Sequence, residues 1–188
     1  LGAAYVIKRP NNLSQPDDII VASYVGRPKT QDDYNRNLFL LADYYGCKIG
    51  FENDRGEVIA YAKRFRKLHK LQVEFEMLDK KDLRSKTVKR QYGMHMTEAR
   101  KRQGEIYIRD WLNTVRRTDE SGKQLLNLHK IYDPALLTEL IKFNHHGNFD
   151  RVMALMIGMY HTRELYNAEV KDILEDRATD KWFDKNYY

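Results

Sequence analysis

Cys47-Lys48-Ile49-Gly50-Phe51 is a mostly apolar segment of strand length, and it runs straight into the polar cluster Glu52-Asn53-Asp54-Arg55-Gly56. A strand placed there delivers a carboxylate at its end. Just upstream, Thr30 can cap a helix with Asp33 three positions on, and Tyr34, Leu38, Leu41 and Tyr45 follow at helical spacing until Gly46 stops it. Just downstream, Ile59, Ala62, Phe65 and Leu68 fall on one face of a second helix running from Glu57 to about His69. A strand flanked by helices in this way makes parallel neighbours.

Moving outward, Leu1 to Ile7 and Ile19 to Val25 read as two strands of a hairpin around a Pro/Asn-rich loop. The chain enters the first of these without a preceding turn or cap, as if cut from something longer. Leu71, Val73, Phe75 and Met77 alternate with polar residues at the period of a half-buried strand. Residues 79 to 91 are polar and basic and read as an exposed loop. A helix is expected from about Thr97 to Arg116, with Ile106, Trp111, Leu112 and Val115 inward, then a turn at Ser121-Gly122. Asp133-Pro134 is a cap followed by a first-turn proline and starts a helix through Leu136, Leu137, Leu140 and Ile141, which Gly147-Asn148 stops. A last helix, from about Phe149 to Tyr166, is apolar on more than one face and carries Asp150 in its first turn. The pattern predicts an α/β fold with a mixed sheet, one domain over 1–166 and a charged aromatic tail over 167–188.

Composition narrows the classes of function. The 188 residues, 42% hydrophobic and 32% charged, suffice for one buried core. Lys plus Arg number 33 against 27 acids, and the excess is concentrated: Lys63 to Arg117 holds 17 basic and 7 acidic residues, a local +10. That concentration suits a polyanion such as nucleic acid, and it equally suits a solvated helix face. Cys47 is the single cysteine, which excludes an internal disulfide and fits a reducing cytoplasm. With no run of ~18 apolar residues and no leader-like pattern, neither a membrane span nor export is expected.

Nucleases that use a pair of divalent cations need several carboxylates brought together, because the ions clamp the attacking and leaving oxygens of a phosphodiester. Glu52, at a strand end, and Asp150, at a helix start, stand where such acids belong. Acids in those positions are also common for local reasons, the helix dipole and turn chemistry, so these two alone do not define a site.

The ordered set of segments carries more. Val21-Ala22-Ser23-Tyr24-Val25-Gly26-Arg27-Pro28, Asp32-Asp33-Tyr34, Phe51-Glu52-Asn53-Asp54-Arg55-Gly56 and Asn148-Phe149-Asp150-Arg151-Val152-Met153-Ala154-Leu155 resemble, in order and spacing, the nuclease domain of phage terminase large subunits. The resemblance spans about Leu1 to Tyr166. It implies an RNase H-like mixed sheet flanked by helices, a metal-dependent endonuclease cutting concatemeric double-stranded DNA, and Mg²⁺ or Mn²⁺ as cofactor. It further implies that Glu52 and Asp150 coordinate metal, with Asp54 a weaker ligand. A first strand and its catalytic Asp, which the family places ahead of the segment resembling Leu1 to Ile7, have no counterpart here. Weak metal binding and weak or absent cleavage are therefore expected of this chain.

Lys63, Arg64, Lys80, Lys81, Arg84, Lys86, Lys89 and Arg90 would line the DNA path, touching phosphate without reading sequence. The resemblance also implies an upstream ATPase domain and a portal protein as partners, in the cytoplasm of an infected or lysogenic host. No phosphate-cradling Gly-Lys-Ser/Thr loop is present, so ATP hydrolysis is not expected of this chain. A catalytically silent DNA-gripping or portal-docking module is the alternative, and a resolvase-type nuclease acting on branched DNA is a third. His145-His146 reads as a pair of solvated loop residues, since zinc needs further ligands at short spacing. Trp111 reads as core rather than as a base-stacking platform.

Overall fold

A computed structural model describes residues 2–9, 18–53, 56–73, 92–144 and 147–163. Strands β1 (Gly2–Lys8) and β2 (Ile19–Gly26) pair antiparallel, with a register shift at Val6/Ile7. They are followed by α1 (Gln31–Tyr44), α2 (Glu57–Arg64) and α3 (Glu98–Leu112). A second antiparallel hairpin, β3 (Val115–Thr118) with β4 (Gln124–Leu126), leads to α4 (Pro134–Lys142) and to α5, residues 150–163. The architecture is mixed α/β. None of the helices among the described residues is long and apolar enough to cross a membrane.

The expected mixed sheet is present only in pieces. Ile49 and Glu52 form parallel bridges, to Leu71 and Met94 respectively, while Val73 pairs antiparallel with Tyr92. The backbone bonds Ile49 N–H to Lys70 O (2.7 Å) and Met94 N–H to Phe51 O (2.8 Å) hold these short segments together. Among the described residues, β1 pairs as a strand only with β2, so the two parts do not merge into one ladder.

Local chemistry explains where the helices begin and end. Thr30 caps α1 by accepting from the Asp33 N–H, and Asp133 caps α4 by accepting from Ala135 and Leu136. Gly46, at φ +63°, ends α1 in the left-handed conformation. Helix α2 closes the same way, with Lys67 N–H reaching Ala62 O, but the left-handed residue is Arg66. That makes α2 shorter than the sequence suggests, because an arginine gives no stop signal.

Two clusters form the core. The larger wraps α5 (Val152, Leu155, Met156, Met159, Tyr160) with α3 and α4; the smaller packs α1 and α2 on Ile49, Phe51 and Leu71. Trp111 lies in the larger one and donates its indole N–H to Asp18 O at 2.9 Å, as a core residue should.

Several expected inward positions are corrected. Ile106, Val115 and Ile141 are exposed, since α3 buries the face of Gly104, Ile108 and Trp111, Val115 starts a strand, and α4 buries its Leu136 side. Phe65 is exposed beyond the end of α2, and Tyr45 beyond that of α1, whose deepest residues are Asn35, Phe39 and Ala42.

Helices α3 and α5 touch at Gly104, where an added Cβ would overlap the Met156 side chain. Overpacking of ~1–3 kcal/mol against a helix-propensity gain of ~1 kcal/mol gives Gly104→Ala an expected net loss of roughly 1 kcal/mol, measurable by urea denaturation. A more stable variant would mean that α5 can retreat.

Candidate functional site

Between the two clusters runs a groove of about 740 Å³. One wall is β1, the other is residues 47–52, and α5 forms the floor through Met153, Ala154, Ile157, Gly158 and His161. The α1 stripe Tyr34, Leu38 and Leu41, which the sequence shows at helical spacing, lines this groove as well. That helix therefore has two apolar faces, one for the smaller cluster and one for the groove.

Glu52 and Asp150 both line it. Glu52 gets there because the backbone of Phe51 and Asn53 is fixed to Met94 on either side of it, with Asn53 N–H to Met94 O at 2.9 Å. Asp150 gets there as the first residue of α5. Its carboxylate is close enough to Tyr34 to add, after burial and Tyr24, to the forces that push that phenol up to about 12. Asp54 lies outside the described residues, as do His145 and His146.

The floor is tight where it meets the far wall. A Cβ at Gly50 would overlap the His161 imidazole, so the ring packs directly on the backbone two residues before Glu52. Burial pushes His161 down to about 4, which keeps it neutral at physiological pH. Sequence reading passed over His161; the available signal was its place on the α5 face that also carries Ala154 and Gly158.

Behind Asp150 lies a second group that the sequence reading missed. Glu139 of α4 accepts from the Arg151 guanidinium at 2.7 Å and from the Arg151 backbone N–H at 3.0 Å. Arg151 also sits 3.6 Å from Asp133, which accepts from the Tyr5 hydroxyl at 3.0 Å. Glu139 and Asp133 together hold the Arg151 pKa above its ordinary value, and burial followed by the Asp133 contact raises that of Tyr5.

The basic residues divide. Lys63 and Arg64 are exposed at the end of α2, and Arg64 pairs with Asp32 at 2.6 Å. Lys67 and Lys70 both engage Asp43, whose carboxyl they hold below the usual carboxylate range. Part of that positive segment thus ties α2 and the turn after it to α1. Lys80, Lys81, Arg84, Lys86, Lys89 and Arg90 lie outside the described residues.

Hard cations such as Mg²⁺ and Mn²⁺ take oxygen ligands, and Mg²⁺ is commonly held by one or two carboxylates together with waters and substrate phosphates. Glu52 and Asp150 fit that donor set. Among the described residues there is no group of three or more His, Cys, Asp or Glu side chains placed to hold an ion. Searches against family models, curated proteins and solved structures find no match to the chain.

Proposed function

We propose that the groove is the nuclease site of an RNase H-like domain from a viral DNA-packaging terminase, cleaving concatemeric double-stranded DNA with Mg²⁺ or Mn²⁺. The observation that supports this reading is that Glu52 and Asp150, far apart in sequence and on different elements, line one groove. When bound, the metal would supply an activated water and neutralise charge growing on the phosphate. Glu52 and Asp150 would hold it. Lys63 and the basic residues after it would anchor the flanking phosphates, an interaction that positions the duplex without reading its sequence.

A two-cation site needs more carboxylate than these two residues provide. A further strand beside β1, which among the described strands pairs with β2 alone, would supply it. The terminase resemblance implies such a strand, ending in an Asp.

Glu52→Gln and Asp150→Asn are each expected to reduce the weak Mn²⁺ affinity of the chain by about tenfold or more, since even partners behind a ligand are typically worth about 10–100-fold. Melting temperature should change little, since both residues are partly exposed. Unchanged Mn²⁺ affinity in both variants would overturn the reading. A chain extended upstream by the implied strand should gain Mn²⁺-dependent cleavage of plasmid DNA. The catalytically silent DNA-gripping or portal-docking module is the second reading; DNA binding without cleavage in the extended chain would select it.

A further inference from the structure

We infer that Glu139 is a positioning residue for Asp150, acting through the first turn of α5; this rests on the metal-site reading above. The residue at the cap position of α5 brings no side-chain acceptor of its own. Met153 N–H bonds to Phe149 O, which makes Phe149 the residue at the cap position, and phenylalanine has no side-chain acceptor. The second-position N–H, that of Arg151, is satisfied from another helix: the Glu139 carboxylate accepts it at 3.0 Å with one oxygen. The other oxygen takes the Arg151 guanidinium at 2.7 Å. One carboxylate thus fixes both the backbone and the side chain of the residue next to Asp150.

The clamp is itself anchored. Arg151 lies 3.6 Å from Asp133, which caps α4 and accepts from Tyr5 on the β1 wall of the groove. The start of α5, the start of α4 and β1 are therefore linked through polar contacts, with Glu139 and Arg151 both largely shielded from water. Charge-assisted bonds of this kind hold geometry more firmly than neutral ones. With the acceptor for this N–H supplied from α4, the direction in which α5 presents Asp150 is set by α4 and not by a local turn.

The test is Mn²⁺ titration of the full chain, followed by water-proton relaxation, for the parent, Glu139→Ala, Glu139→Gln and Glu139→Asp. Partners behind a metal ligand are typically worth about 10–100-fold in affinity, so Glu139→Ala should weaken Mn²⁺ binding by at least about tenfold. Glu139→Gln keeps an oxygen for the Arg151 N–H while losing the charge, and should stay within about threefold of the parent on the same scale. Should Glu139→Ala fail to fold, Glu139→Asp, which keeps the charge but falls short of the N–H, is expected to show the loss instead. Parent-like affinity in both Glu139→Ala and Glu139→Asp overturns the positioning role while leaving the metal site standing. Equal losses in Glu139→Gln and Glu139→Ala overturn it too, because charge and not geometry would then be responsible. No Mn²⁺ binding by the parent that depends on Asp150 would overturn both the metal site and its positioning.

Discussion

Replacing Trp111 by alanine is expected to lower the unfolding free energy by about 3–5 kcal/mol, among the largest single losses this chain can suffer. The indole is buried in the larger core cluster, so its removal leaves a cavity that the surrounding elements cannot close. It is also a polar tie, because its N–H donates to Asp18 O just ahead of β2, and its own carbonyl accepts from the buried Asn127 side chain. Trp111→Phe keeps most of the volume but loses the donor, and should cost less than Trp111→Ala by at least about 1 kcal/mol. Urea denaturation followed by circular dichroism measures both. A loss under about 1 kcal/mol for Trp111→Ala would show that the indole is not buried in this cluster as described.

His161 makes the second large effect, and its sign follows from burial. The ring titrates near 6.5 when the chain is unfolded and at about 4 when folded. Above pH 6.5 it is neutral in both states, and its contribution to stability is fully present. As the pH falls from there, the unfolded chain takes up a proton that the folded chain refuses, so stability is lost progressively. By about pH 4 the loss attributable to this one ring is roughly 3 kcal/mol. His161→Gln removes that component. The check is the difference between parent and variant in urea midpoints at neutral and acid pH. The variant should lose less stability on acidification, and parallel pH profiles would mean that the ring is already protonated or solvated in the groove floor.

The parts of this fold that were legible from sequence are those governed by neighbours a few residues apart. Thr30 and Asp133 announce their helices because a cap is satisfied within three residues, and Gly46 announces an end because its conformation is the unusual one. The β1–β2 hairpin and the burial of Trp111 and of the α5 face were readable for the same reason: their apolar periods are regular.

Where the reading missed, the deciding partner was distant or the signal was borne by an uncharacteristic residue. Arg66 ends α2 in a conformation usually given to glycine, so no breaker marks the spot. Val115 has the spacing of α3 but pairs across a hairpin with Leu126, whose turn is fixed by the Asp119 side chain accepting from Ser121 and Lys123. Ile141 shares the periodicity of α4 yet faces solvent, because only the Leu136 side meets the core.

The site was legible in the same partial way. Glu52 and Asp150 could be picked out one at a time as acids at the end of a strand and the start of a helix. That both border one groove depends on Met94 pinning the backbone around Glu52 and on Glu139 clamping Arg151, and neither contact leaves a pattern in the sequence. His161 was invisible for a related reason: its environment is set by Gly50, more than a hundred positions away along the chain.

The most direct measurement is anomalous diffraction from crystals of the chain grown with saturating Mn²⁺. An anomalous peak within coordination distance of both the Glu52 and the Asp150 carboxylates, about 2.0–2.2 Å for hard divalent ions of this size, is the predicted result. Mn²⁺ bound elsewhere, with those two side chains too far apart to share an ion, would contradict the account.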